Sequence, residues 1–445
     1  MLVGVGAAFF ISAAPAVALP TGSLQPVAGP AGCIGATDLA GTCTVGRALD
    51  LPAAVTVSVR DQSAYVASFF SDAVAVFRRE TTGSLSQLPG PAGCVSATGE
   101  GGTCASARAL DGAASATVSP DGTYVYVASR VSQAVAVFAR DLTTGALTQL
   151  AGTQGCVSET GSEGCADAPL PLGGANSVAV SPDGAHLYVG SFVGDVISVF
   201  SRGADGSLTQ TSCISQTGEG GCSDGRSLQQ VFTVATSPDG RNVYATAWGS
   251  DTLVVFGRDS TTGTLTQLPE VAGCISQTGA EGCTDGSGLD ATHDVKVSPD
   301  AKHVYVASNE SDAITIYSRA TSGELSFKSC MSHLGAEGCV PAAGIDGVQG
   351  LDISADGTSV HTASVASSAV ASFGRNAKTG ALKQFEGTAG CVSETGTEGA
   401  CQDGRGLLAA AWVALSPDGK LSYVAGAASD AVTSYIRTTT RGRGK

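Results

Sequence analysis

All fourteen cysteines of the chain fall into seven close pairs, Cys33/Cys43, Cys94/Cys104, Cys156/Cys165, Cys213/Cys222, Cys274/Cys283, Cys330/Cys339 and Cys391/Cys401, and equivalent cysteines recur every 56 to 62 residues. No cysteine is left over. A fixed period of this length marks one supersecondary unit repeated along the chain, and such units bury their apolar faces only by stacking on one another. The repeat overrides the roughly two or three domains that length alone would suggest.

Eight or nine residues separate the partners within a pair, and the chain has only 5 histidines. Zinc sites usually bring CxxC spacing or interleaved histidines. The pairs therefore read as short-loop disulfides, which persist in an oxidising compartment. The expected location is secreted or cell-surface.

Residues 114–150, ASATVSPDGTYVYVASRVSQAVAVFARDLTTGALTQL, contain four short alternating segments separated by Pro-Asp-Gly, Arg-Val-Ser-Gln and Asp-Leu-Thr-Thr-Gly. Period-two alternation broken by turn residues is the signature of an antiparallel meander. The first segment recurs before Ser58, Ser119, Ser181, Ser237, Ser298, Ser354 and Ser416. The expected fold is all-β, a seven-bladed propeller with four antiparallel strands per blade. A seventh fourth-strand segment, residues 23–27, precedes every first strand, whereas the last blade runs out after its third. The N-terminal segment is therefore expected to supply the outer strand of the last blade and close the ring.

This assigns residues 19–437 to one propeller, with 19–49 providing that outer strand and the first disulfide loop, and 438–445 to a basic flexible tail. Residues 1–18 have no place in the ring. Their apolar run and Ala16-Val17-Ala18 read as a signal peptide without a positive start, against an alternative reading as a vestigial half blade. No other stretch is long and apolar enough to span a bilayer. A formal charge of −15 excludes nucleic acid and anionic membrane surfaces as partners. A monomer is expected.

The motifs SPDGTYVYVAS, SPDGAHLYVGS, SPDAKHVYVAS and SPDGKLSYVAG, followed by AVAVF and RDLTTGALTQL, resemble those of the seven-bladed lactonase-like propellers. That group includes 6-phosphogluconolactonase-type, carboxymuconate-cyclising and YVTN surface-repeat proteins. The resemblance covers residues 50–437 and implies the scaffold more than the activity. Tyr-Val-Ala-Ser stands where the Tyr-Val-Thr-Asn ending would be, and the cysteine loops are an addition to a cytoplasmic phosphosugar enzyme. No catalytic residue carries over from it.

Strand order places the cysteine loops at the crossings from each outer strand to the next inner strand, as a crown on one face, the top. Counting back two and four residues from each inner-strand serine puts mostly small residues on the channel. Charge gathers only at Asp294, Lys296 and Asp352, with His293 at the rim. Asn309 and Glu310 are expected from a nearby loop, and Trp412 as an aromatic wall. An acidic pair around a lysine suits acid–base work on a lactone, whereas the structural alternative is a Lys296–Asp352 ion pair between blades.

The crown carboxylates, such as Glu159, Glu163, Glu281 and Glu337, are hard ligands of the kind calcium takes, but they lack the dense ladder of an EF-hand. They read as turn and solvation residues, with no metal or cofactor required. His186, His303, His333 and His361 stand alone, without a partner at ligand spacing. The first functional reading is a scaffold that binds a small molecule, glycan or protein at its top face. The alternative is a cofactor-independent lactone hydrolase or cyclase acting at the channel mouth.

Overall fold

The computed structural model describes residues 19–60 and 62–439, so the proposed signal segment 1–18 lies outside the described residues, as do 440–445 of the tail. Seven antiparallel sheets surround an axial channel. The inner strands, in blade order, are Pro52–Val57, Ala113–Val118, Ala175–Val180, Val231–Thr236, Thr292–Val297, Val348–Ile353 and Ala410–Leu415. Each is followed outward by two long strands, such as Tyr124–Ser129 and Ala134–Arg140 of blade 2. Their alternating Val, Ala, Tyr and Phe side chains are buried between neighbouring sheets, so the core is a cycle of apolar layers between blades.

The outer part of each blade departs from the expected four strands. In blade 2 the fourth strand is cut in two, Leu147–Gln149 and Cys156–Ser158, by a 3-10 turn at Gly152–Gly155. Both pieces pair with Ala134–Arg140, and a two-residue strand, Ala166–Asp167, adds in parallel outside them. Five blades share this six-segment form. Blades 3 and 5, lacking the turn, carry continuous fourth strands, Leu208–Ser215 and Leu325–Ser332, with only a register shift. The insert breaks the strand because it enters at a positive φ, 57° at Gly152 of blade 2 and 49° at Glu270 of blade 4, which an extended ladder does not accommodate.

The last blade takes its outer strands from the other end of the chain. Leu24–Pro26 and Cys33–Gly35 both lie antiparallel against Ala431–Arg437, with Leu24 opposite Arg437 and Cys33 opposite Thr433. Thr438 is tied in too: the Gly22 N–H donates to its carbonyl at 2.8 Å.

All seven cysteine pairs are closed as disulfides with the partners that the spacing predicts, at Cα–Cα distances of 4.7 to 4.8 Å, and none of the fourteen is free. Their position corrects the expected crown. The first cysteines, Cys33, Cys94, Cys156, Cys213, Cys274, Cys330 and Cys391, stand in outer strands, each paired with the third strand of its blade. The second cysteines, Cys43, Cys104, Cys165, Cys222, Cys283, Cys339 and Cys401, each immediately precede the two-residue parallel strand at the blade edge. Cys165, Cys283, Cys339 and Cys401, like the other three, therefore lie on the outer flank of their blades and not over the channel mouth. None of the fourteen cysteines lines the channel, because the inner, second and third strands stand between. The physical reason is that the outer strand runs on through the first cysteine and the chain turns back beside it. The crossing to the next blade begins only after the second cysteine.

The crossings themselves are held by acceptors from neighbouring blades. Asp72, Asp195, Asp251, Asp312 and Asp430, each with φ near 50°, close the loops after the second strands. Their carboxylates accept the backbone N–H groups of Gly112, Gln230, Ala291, Gly347 and Leu51, at the entry to the following blade. Aspartate tolerates the left-handed conformation and supplies the acceptor at once. Glu163, Glu281 and Glu337 do the same from the disulfide loops, accepting N–H groups of Ala109, Ser227 and Gly288. These glutamates are thus engaged as caps between blades.

On the bottom face, arginines at the ends of the third strands reach across to the preceding blades. Arg258 bonds Asp183, the Tyr188 hydroxyl and His186 Nδ1, and Arg375 repeats the set with Asp300, Tyr305 and His303. His361 lies between Ser359 and Ser372. Three of the isolated histidines are therefore structural.

Candidate functional site at the channel mouth

Every inner strand carries a register shift between its first and third residues, so that the second residue is a bulge. A bulge turns an extra side chain toward the same face. The bulged residues are Ala53, Ala114, Asn176, Phe232, His293, Gln349 and Ala411, and all seven line a cavity of about 210 Å³ at the top of the channel. Strict alternation pointed two rings lower and captured only His293 from this set, as a rim residue.

The mouth is largely aromatic and aliphatic. Phe69, Phe232, Trp412 and Leu51 form walls. The His293 and Phe232 rings lie with centroids 3.7 Å apart, Phe192 meets Phe232 edge-on at 6.0 Å, and Trp248 lies 6.1 Å from Phe192. Among the polar groups in this wall, His293 Nδ1, the Arg130 guanidinium and the Gln349 amide have no hydrogen-bond partner among the described residues. His293 is 8% exposed, and its Nδ1 is buried without a hydrogen bond. Burial lowers its pKa to about 3, so the imidazole is neutral at ordinary pH. Arg130 lies with its guanidinium carbon 3.7 Å from the Phe192 ring centroid and has no ion-pair partner among the described residues. Burial alone lowers its pKa, yet an arginine stays charged.

Below the mouth, a second cavity of about 340 Å³ continues along the axis, sharing Ser115, Ser177, Thr233 and Trp412 with the first. Lys296 and Asp352 line it. Lys296 Nζ pairs with Asp294 Oδ1 at 3.1 Å, within its own strand, and sits 4.9 Å from the Trp412 ring centroid. The expected Lys296–Asp352 bridge is therefore replaced by one to Asp294. Residues two apart on the inner face of a strand are neighbours, and Asp352 already has other donors.

Both carboxylates fasten strands together. Asp294, fully buried, accepts the N–H of Val295 and, from blade 6, of Leu351 at 3.1 Å. Asp352 accepts those of Ile353 and, from blade 7, Leu415. Burial raises the pKa of each, against the pull of Lys296; Asp352 reaches about 6. Two residues before Asp352 in the same strand, Gly350 admits no side chain, since a Cβ would come 2.8 Å from the Ala411 carbonyl oxygen and 3.0 Å from Trp412 Cα of blade 7.

The remaining candidates do not join this group. Glu310 is exposed, Asn309 buries an unpartnered Nδ2, and neither lines the mouth or the deeper channel. The structure thus brings His293 and Trp412 together at the mouth and leaves Asp294, Lys296 and Asp352 below it. It adds Arg130, Phe232, Asn176 and Gln349, which the alternation pattern did not reach.

The sequence model of the family described as "Lactonase, 7-bladed beta-propeller" matches residues 40–158, 171–280 and 275–395. Among solved structures, a periplasmic gluconolactonase of Pseudomonas aeruginosa is similar at 18% identity and a TM-score of 0.55, covering 84% of this chain and 90% of that one. A 6-phosphogluconolactonase assignment from Bacteroides uniformis matches at 18% identity and TM-score 0.52, over 75% and 83% of the two chains. Hydrazine synthase of Kuenenia stuttgartiensis reaches 0.56 at 17% identity, over 89% and 98%. At these identities the likeness is one of fold. No curated protein matches the chain in sequence.

Proposed function

Because the chain belongs to the seven-bladed β-propeller lactonase family, we propose that it is a secreted hydrolase that opens a lactone ring in the channel mouth. The observation that carries the reading is the pair of unsatisfied groups in one cavity, the Arg130 guanidinium and the neutral His293 imidazole. A half-buried guanidinium without an anionic partner and a neutral imidazole lining one apolar cavity are the few convergent polar groups that mark a ligand site.

Lactone hydrolysis needs little more. Water adds to the acyl carbon, negative charge builds on the carbonyl oxygen, and the ring C–O bond breaks to give a hydroxy acid. Arg130 supplies a positive charge for that oxygen beside the apolar wall of Phe192, Phe232 and Trp412, where such a charge counts for more than in open water. His293 accepts the proton of the attacking water and returns it to the leaving alkoxide. Its depressed pKa rises once the bound anion is beside it, since a negative neighbour favours imidazolium. Phe232 and Trp412 hold the ring. Asp294, Lys296 and Asp352 support the floor by fixing the inner strands of blades 5 to 7.

The test is hydrolysis of a panel of five- and six-membered lactones. Arg130→Met and His293→Gln are each expected to lower kcat/KM by about a hundredfold or more while leaving the melting temperature near that of the parent. Undiminished rates in both variants would remove the mouth from the chemistry. Ligand binding at the mouth with no turnover across the panel would instead return the recognition-scaffold reading. The seven disulfides suit an oxidising extracellular or periplasmic setting, and export of the full-length protein is checked by fractionation.

A further inference from the structure

The loops after the second strands of blades 1 to 3 continue the mouth outward as an apolar shelf. Each follows a mouth or near-mouth residue with a large exposed hydrophobe: Phe70 after Phe69, Val131 after Arg130, and Val193 after Phe192. Phe70, Val131 and Val193 are 64%, 51% and 67% exposed. The shelf is continuous rather than scattered. Phe69 and Phe70 meet edge-on at 5.6 Å, and Phe69 and Val131 flank Gly112 from the two sides of the junction between blades 1 and 2. Arg130 over the Phe192 ring joins Val131 to Val193. Exposed apolar residues are unremarkable singly, but a run bordering a cavity marks a binding surface.

The mouth behind the shelf has a mainly apolar wall, and two of its polar side chains are already engaged within the protein, which leaves Arg130, His293, Gln349, Ser115 and Thr233 to meet a ligand. Asn176 Nδ2 donates to the Phe232 carbonyl, and Ser177 Oγ accepts the Val234 N–H. A polyhydroxylated ring would still press one face on Leu51, Phe69, Phe232 and Trp412, where each hydroxyl left unpaired costs free energy. A small head with one carbonyl or carboxylate, carrying a hydrocarbon extension, leaves nothing unpaired.

We propose that the ligand is amphiphilic: its lactone or carboxylate head meets Arg130 and His293 in the mouth, and its unbranched hydrocarbon tail lies outward across Phe70, Val131 and Val193. The inference rests on the reading of the mouth as a lactone site and adds the chemical class of the substrate. Burying one methylene is worth about 0.8 kcal/mol, close to a fourfold change in affinity, and a tail lying on a shelf keeps one side in water. The expected gain is therefore about twofold to fourfold for each added methylene, up to the length the shelf covers.

The experiment uses γ-lactones from γ-butyrolactone to γ-dodecalactone for turnover, and the straight-chain carboxylates from butanoate to dodecanoate for binding. Binding is read from tryptophan fluorescence, since Trp412, one of the 2 tryptophans of the chain, lines the mouth and the other, Trp248, lies against Phe192 beside the shelf. In the parent, kcat/KM and carboxylate affinity are expected to climb with chain length. In Phe70→Ser/Val193→Ser that slope flattens, while γ-butyrolactone is handled as before, because both residues are exposed and outside the mouth. A flat chain-length dependence in the parent overturns the inference even if short lactones are hydrolysed. If no lactone is turned over but carboxylate affinity still climbs and the double variant abolishes the climb, the hydrolase reading falls and the amphiphile site stands.

Discussion

Asp352 Oδ2 accepts the backbone N–H of Leu415 at 2.7 Å, so one carboxylate on the channel wall of blade 6 also fastens the inner strand of blade 7. Burial raises its pKa to about 6, against the pull of Lys296 and the two N–H donors. A folded value above the unfolded 3.8 means the folded state binds the proton more tightly. The associated stability is full below about pH 4 and is lost as pH rises through about 6. Relative to Asp352→Asn, which does not titrate, the parent should lose about 1 to 3 kcal/mol between pH 4 and pH 7. Urea unfolding of both proteins across that range measures the difference.

Lys296 is the cation that neutralises fully buried Asp294. Lys296→Met leaves that carboxylate unpaired and is expected to cost about 3 to 5 kcal/mol. Adding Asp294→Asn to the same protein should restore most of the loss, because the stranded charge is gone. A double-mutant cycle by denaturant titration checks both statements.

Arg437 ties the last blade to blade 6 on the bottom face. Its side chain is 0% exposed and donates to both Asp356 oxygens, to Ser359 Oγ and to the Gly419 carbonyl. Because Asp356 is half-exposed and keeps its Ser354 and Thr358 donors, Arg437→Met should cost about 1 to 3 kcal/mol at pH 7, chiefly through the buried groups it leaves unpaired. Although burial alone would raise it, the Ser354 and Thr358 donors and the Arg437 charge outweigh that and hold the Asp356 pKa at about 2. This lowered group contributes stability above about pH 4 that is lost as pH falls through about 2, so the penalty of the substitution should shrink in acid. Unfolding free energies at pH 7 and pH 2 give the comparison.

The disulfide loops are short, with partners nine or ten positions apart. Closing so small a loop restrains the unfolded chain by about 2 to 3 kcal/mol at most. Replacing Cys213 and Cys222 together by serine should lower stability by up to that amount. Since the bridge lies on the outer flank of blade 3, lactone kinetics and carboxylate binding should not change. A shift in either would show that the flank and the mouth are coupled.

The blade repeat was readable because turn triplets and alternation recur with little variation, from Ser58 to Ser416. The mouth was harder to read, for a geometric reason. Alternation assigns faces by parity, and the bulge at Asn176, Phe232, His293 and Gln349 shifts parity by one residue in every inner strand. No local signal marks the position, because the residues on either side of it vary between blades as much as it does. Arg130 was hidden by its loop, where the equivalent positions read Phe69, Phe192, Trp248, Asn309, Val365 and Ala427 and carry no shared pattern. The disulfides were paired correctly from spacing. Their displacement to the flank, which carries Cys165, Cys283, Cys339 and Cys401 away from the mouth, follows from the outer strand continuing through the first cysteine. No turn residue announces that continuation.

The union of residues 24–35 with the last strand sets an order on biosynthesis. A ribosome releases Leu24 some four hundred residues before Arg437, its strand partner, so the first segment to emerge waits for the last. The Cys33–Cys43 bridge spans only ten positions and needs no distant partner. An oxidising folding machinery can therefore close it at once and keep the waiting segment compact. Each later blade can likewise be oxidised as it emerges, and mispairing is limited because every correct partner is the nearest one in time.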